Sequence, residues 1–484
     1  MNCMLKRTKI VATLGPATDT EEAIRSLIEA GANVFRLNFS HGEAEDHIKR
    51  AKKIRKIAKE MDKYIGVLGD LQGPKIRIAK FENDKVNLTP GHVFTLDAEL
   101  DKYSGTDTSV GIDYKDLPND VKAGNHLMLD DGRIQLEVIE TTATTIVCNV
   151  VVGGVLSNNK GINLLGGGLS APALTEKDKE DIKTAVSMDV DYLAVSFPRS
   201  AADIEEARQL LHEAGGNSAL VAKIERAETV NDESILDEII LASDAVMVAR
   251  GDLGVEIGDA QLIGVQKRII DRARALNRVV ITATQMMESM IHNPIPTRAE
   301  VFDVANAILD GTDAVMLSAE TATGDNPART VDAMANVCQG AENQSLAKTS
   351  NHRIDIEFER IDETIAMAAM YSANHLKGVK AIVALTESGS TALWLSRIRS
   401  GIPIFALSRS NQTLRKVSLY RGVEALEFDP TVLARHDVNR LAVDELINHG
   451  HVQHGDLVII TKGDSMGTLG GTNAMKIVRA GEVI

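Results

Sequence analysis

Eight short apolar runs mark the chain, at residues 10–13, 33–39, 64–70, 191–197, 218–225, 244–250, 279–284 and 313–318, and their ends are polar or charged. Runs this short and this rich in Val, Ile, Leu and Ala predict strands buried on both faces, as in a parallel sheet. Helical periods follow most of them. Residues 19–30 read as an amphipathic helix with Asp or Thr at its start and Gly31 at its end, and residues 43–63 as a helix with a solvated Lys/Glu face. Such alternation predicts β/α units, and eight of them close into a barrel whose strand ends share one mouth.

The third run breaks the alternation. No helix follows it; residues 75–170 instead carry β-like patterns with turn signals at 88–91, 130–132, 153–154 and 157–159. A stretch of this length is not a plain loop, so it reads as an all-β domain inserted in the barrel. The glycines at 166–168 fit neither GxGxxG nor GxxxxGK, and they read as a hinge where the chain returns. The barrel resumes with a helix over 175–188 and runs through one over 326–340. Beyond 341, helices at 360–376, 391–399, 412–420 and 438–449 alternate with strands at 381–385, 403–407, 425–428, 457–461 and 475–478, a small open α/β sheet. The expected fold is α/β: a (β/α)8 barrel over 1–74 and 171–342, an inserted β domain over 75–170, and a C-terminal α/β domain over 343–484.

Charge narrows the partners. The formal balance of 53 basic and 68 acidic residues gives −15, which argues against broad binding to nucleic acid or anionic membrane. A local cluster of Arg and Lys still accommodates an anionic substrate. Cys3, Cys148 and Cys338 are too few and too scattered for a zinc or disulfide framework, and read as ordinary thiols of a reducing cytosol. Residues 1–10 lack an apolar signal core and no run reaches membrane-spanning length, so a cytoplasmic protein is expected.

The strand ends carry the chemistry. Gathered at one mouth they supply Thr13, Arg36, Asn38, Ser40, Asp70, Lys223, Glu225, Arg250, Asp252, Thr284, Gln285, Ser318 and Glu320. That set suits a phosphorylated acid and a divalent metal better than a packing core. Alternation puts Arg36, Asn38 and Ser40 on one face: the guanidinium suits phosphate or carboxylate, and the two oxygens suit a cation. Lys223 and Glu225 align likewise, and Asp252 on the neighbouring unit adds a second carboxylate, the number Mg2+ commonly takes from protein. Gly251 lets the backbone approach a ligand. The hydroxyls of Thr284 and Ser318 suit a carboxylate or a proton relay. His41 and His47 read as residues of a helix start and the surface rather than metal ligands.

At these residues the chain closely resembles pyruvate kinases along nearly its whole length. The shared stretches are TKIVATLGPA (8–17), VFRLNFSHG (34–42), GDLQGPKIR (69–77), SNNKG (157–161), VAKIER (221–226), MVARGDLGVE (247–256), ITATQMMESM (281–290), PTRAE (296–300) and VMLSAET (315–321). The resemblance implies phosphoryl transfer from phosphoenolpyruvate to ADP, giving pyruvate and ATP. It places Arg36 on the transferring phosphoryl group and Lys223 on its charge in the transition state. It makes Glu225 and Asp252 the Mg2+ ligands, and Gly251, Asp252 and Thr284 the receivers of the substrate carboxylate. Thr284 and Ser318 become candidates for the proton relay. Asn38, Ser40 and Asp70 match monovalent-cation ligands; His41, Arg77 and Lys160 match the nucleotide region.

Two departures sharpen the expectation. Many members carry Glu where this chain has Lys75, and Thr where it has Leu71. The Lys75 ammonium is expected beside Asp70 in place of K+, so K+ is expected not to be required. In the C-terminal domain, Thr386, Ser388, Gly389, Ser390 and Thr391 match the loop that binds sugar-phosphate effectors in regulated members, with an ordinary helix cap as the plainer reading. Glu387 stands where members responsive to fructose 1,6-bisphosphate often carry Lys, which points to AMP or a sugar monophosphate as activator. The resemblance further implies a homotetramer with residues 296–300 near an interface, and an inserted lid hinged near Lys75 and Ser170. A Mg2+-dependent aldolase-type lyase and a non-enzymatic metabolite sensor are the competing readings; the inserted β domain argues against the first and the full catalytic set against the second.

Overall fold

The computed structural model describes residues 5–348, 357–464 and 470–482; Cys3 lies outside them. All eight apolar runs contain strands: Lys9–Thr13, Val34–Asn38, Gly66–Asp70, Tyr192–Val195, Ala219–Ile224, Ala245–Ala249, Val279–Ala283 and Ala314–Leu317. They close into a barrel in the order one, eight, seven, six, five, four, three, two. Strand one pairs in parallel with strand eight, Ala12 opposite Leu317, and with strand two, Thr13 opposite Arg36. Nearly every residue of these strands is buried, which is why the runs show no alternation.

Local chemistry sets the boundaries. The helix Glu21–Ala30 starts at Thr20, whose side chain accepts from the Ala23 N–H, and stops at Gly31, whose φ of 114° suits glycine. Strand six ends at Ala249 and the helix Arg250–Ile257 begins at once. Arg250 is therefore a first-turn residue rather than a strand end, and its Nη1 donates to Gln266 Oε1 at 3.3 Å. His47 is buried, not on the surface: its Nε2 donates to the His41 carbonyl at 2.9 Å and its ring meets Phe39 edge-on at 4.9 Å. Cys148 and Cys338 are buried free thiols, each pushed up to about 12 by burial.

The chain packs as two compact units, residues 1–69 with 184–193 and 270–484, and residues 70–183 with 194–269. In the second, residues after strand three form a six-stranded sheet and a two-stranded one, Gly154–Ser157 against Lys85–Leu88. One hydrophobic cluster, from Ile76 to Leu169, fills this β region. In the first unit a five-stranded sheet follows the barrel, in the order Val423–Glu427, Ile404–Ser408, Val379–Leu385, Leu457–Gly463 and Thr472–Arg479, the last strand antiparallel. Arg397, 1% exposed, ties this sheet region to the barrel through Asp313 at the start of strand eight, with Nη1 3.0 Å from Oδ2. A buried pair so matched is costly to break from one side.

Candidate active site

Strand five delivers Lys223 and Glu225 in the expected alternation. Lys223 Nζ lies 3.0 Å from Glu225 Oε1 and 3.4 Å from Asp70 Oδ1, and donates to Ser196 Oγ at 2.7 Å. Asp70 is 1% exposed and Glu225 2%, so two carboxylates are buried around one ammonium. Burial pushes the Glu225 carboxyl up; Lys223 opposes this, and Asp252 adds to it by repulsion. Asp252 sits in the first turn of the helix Arg250–Ile257, beside Gly251, and its Oδ1 accepts from Lys75 Nζ at 3.0 Å. Lys75 thus pairs with Asp252, not with Asp70 as the sequence suggested, because Lys223 already faces Asp70.

The donor chemistry fits a small divalent cation. Glu225 and Asp252 are oxygen donors from neighbouring strand ends that repel one another, and a cation between such groups relieves that repulsion. Among the described residues no group of three or more His, Cys, Asp or Glu is placed to hold a metal.

Within the same unit, Arg77 and Lys160 come together. Arg77 Nη1 donates to the Asn159 carbonyl at 3.0 Å, its backbone bridges to Gly161, and Lys160 Nζ lies 2.7 Å from Asp130 Oδ1.

The other unit holds the remaining positions. Arg36 is 9% exposed and donates from Nη1 to Thr13 Oγ1 at 3.2 Å; Thr13 in turn donates to the Leu317 carbonyl at 2.8 Å. Asn38 Oδ1 accepts from the Ser40 N–H at 3.1 Å, closing a turn before His41. Thr284 and Gln285 have φ of +68° and +55°. A β-branched residue rarely adopts that region, and such strain concentrates at functional sites. The Ser318 N–H donates to buried Glu320 Oε2 at 2.6 Å, which explains Glu320 as the brace of that turn.

In the loop after Val379–Leu385, Gly389 has φ +85° and donates to Thr386 Oγ1 at 3.0 Å; Ser388 and Ser390 share a 2.8 Å hydroxyl contact, and Thr391 contacts Thr472 at 2.6 Å. Glu387 is paired with Arg409 at 3.3 Å.

Sequence reasoning drew no site residue from the end of strand four. Ser196, which orients Lys223, and Phe197, whose N–H donates to Glu225 Oε2 at 2.8 Å, both come from there. The signal available was a Ser ending an apolar run, as at Ser318.

Family models described as "Pyruvate kinase, barrel domain" and "Pyruvate kinase, alpha/beta domain" match residues 5–331 and 363–478. A protein of Salmonella typhimurium named pyruvate kinase II is 59% identical over 481 residues, 99% of each chain. A pyruvate kinase of Haemophilus influenzae is 59% identical, over 96% of this chain and 97% of its own. One of Sporosarcina psychrophila is 42% identical over 99% of this chain and 81% of its own length.

Proposed function

The chain belongs to the pyruvate kinase family, an enzyme family of phosphotransferases, and from that premise we propose how its own residues carry the reaction. The observation that carries the reading is the Lys223 ammonium held by Glu225, Asp70 and Ser196. Phosphoryl transfer asks for positioning and charge neutralisation more than for covalent chemistry. A lysine between two carboxylates stays cationic, so Lys223 acts electrostatically, on the phosphoryl oxygens and then on the enolate oxygen. Arg36 orients the phosphoryl group of phosphoenolpyruvate. Glu225 and Asp252 hold Mg2+, which when bound neutralises charge on phosphoryl and enolate oxygens. The substrate carboxylate is received by Thr284 and by the helix start at Gly251 and Asp252, where the dipole favours an anion. Thr284 and Ser318, with water, pass the proton to the enolate. His41, Arg77 and Lys160 take the nucleotide phosphates, and Asn38, Ser40 and Asp70 are the monovalent-cation-type ligands; the fixed charge of Lys75, paired with Asp252 rather than Asp70, is what supports activity without K+.

The same reading divides the chain into a catalytic barrel (1–74, 171–342), a lid (75–170) and an effector-binding domain (343–484). It takes the loop of Thr386, Ser388, Gly389, Ser390 and Thr391 as the seat of AMP or a sugar monophosphate. It makes the enzyme a cytoplasmic homotetramer; Ile295 and Phe302, 65% and 73% exposed on either side of residues 296–300, support an interface there. The test is pyruvate formation from phosphoenolpyruvate by the purified chain with ADP and Mg2+; no pyruvate above a no-enzyme control refutes the reading.

A further inference from the structure

The segment 166–171, where the inserted β region returns to the barrel, is gripped by residues that follow the two candidate metal carboxylates. The Gly166 N–H donates to the Glu256 carbonyl at 2.8 Å, and the Gly168 N–H to Glu228 Oε2 at 3.3 Å. Arg226 takes the carbonyls: Nη1 donates to Leu169 at 2.9 Å, Nη2 reaches Ala171 at 3.5 Å, and Nε donates to Phe197 at 3.0 Å. The guanidinium is buried, 4% exposed, with Glu228 Oε1 at 3.2 Å as counter-charge. A Cβ at Gly167 would come within 2.1 Å of Glu228 Oε2, so the glycine run serves close docking as well as its positive φ angles.

Phe197 joins this grip to the site. Its φ is +54°, a conformation that a bulky residue holds only when its surroundings impose it. Here Glu225 Oε2 takes its N–H at 2.8 Å, Arg226 takes its carbonyl, and the Arg226 Cζ lies 5.8 Å from its ring centre. One strained residue therefore carries the Glu225 carboxylate on one side and, through Arg226, the docked return segment on the other.

We propose that Arg226 is a positioning residue that sets Glu225 for its divalent cation by locking Phe197 and residues 169–171 into one arrangement. Metal affinity then depends on how the inserted region is anchored. The inference rests on the reading of Glu225 as a metal ligand and adds to it a residue that touches neither metal nor substrate. Lysine in its place keeps the charge but cannot span three carbonyls as a planar fork does.

The experiment titrates Mn2+ into the full chain without substrates, following free Mn2+ by its EPR signal, for the parent, Arg226→Lys and Arg226→Gln. Loss of an outer partner of a metal ligand commonly weakens binding about 10–100-fold, and a weakening of that order is expected in both variants. Hydrogen exchange should rise together at residues 166–171 and at 197. If Gln prevents folding, the Lys variant alone decides. A folded variant with parental Mn2+ affinity, or with faster exchange confined to the neighbourhood of residue 226, overturns the proposal while the metal-ligand reading stands. Absence of Mn2+ binding in the parent overturns both.

Discussion

Lys75 and Asp252 form an ion pair, Nζ 3.0 Å from Oδ1, with the two side chains 26% and 21% exposed. A fixed ammonium therefore stands beside a candidate Mg2+ ligand. It supplies a fixed positive charge near the metal ligands, although not at Asp70, where the sequence placed it. Activity without added K+ is expected, with choline as the replacement cation. A large activation by K+ over the choline control would contradict it.

Glu256 is buried and its carboxyl is pushed up to about 8, first by burial, with Glu228 and Asp252 adding to the shift and the Ala227 N–H opposing it. The folded chain thus keeps a proton that the unfolded chain releases near the ordinary value of 4.5. Stability falls as pH rises through that window, by at most about 1.4 kcal/mol per pH unit, and is level above it. Glu256→Gln keeps an acceptor for Ala227 and removes the titration. Its melting temperature relative to the parent should climb between pH 4.5 and 8 in the metal-free protein. Parallel melting curves across that range would show that Glu256 does not hold the proton.

The loop from Thr386 to Thr391 offers hydroxyls and a helix start, but Glu387 lies within it, held by Arg409 at 3.3 Å. On the proposed reading of this loop as an effector seat, a carboxylate there repels a second phosphate. The phosphoenolpyruvate saturation curve should shift to lower concentration with AMP or ribose 5-phosphate and little with fructose 1,6-bisphosphate, and Ser388→Ala should blunt the shift. Strong activation by the bisphosphate, untouched by Ser388→Ala, would defeat both the specificity and the site.

The barrel was legible because a strand covered on both faces must be apolar throughout, and eight such runs survive any error of a residue at their ends. Lys223 and Glu225 were legible for the same reason: charge at the end of a buried run needs a purpose. Ser196 and Phe197 were missed because a serine and an aromatic residue do not look out of place there; Ser196 acts through a hydroxyl common in strands and Phe197 through its backbone N–H. The positive φ of Phe197, Thr284 and Gln285 contradicts the preference of their side chains, so only coordinates reveal it. Arg250 was read as a strand end because the helix starts with no intervening loop. His47 looked exposed amid the charges of its helix, but falls on the face turned to Phe39. Arg226 closes the shared stretch at 221–226, but its role was not legible there, since the carbonyls it holds lie 29 to 57 residues away along the chain.

The most direct test of the account is turnover of phosphoenolpyruvate and ADP to pyruvate by the parent and by Lys223→Met, both shown to be folded by circular dichroism. Removing one preorganised charge from a transition state typically costs about 10²–10³ in rate, and the methionine keeps the length of the side chain. The account predicts an active parent and a variant whose kcat falls by at least that factor at saturating Mg2+. A folded Lys223→Met enzyme with near-parental kcat would contradict it.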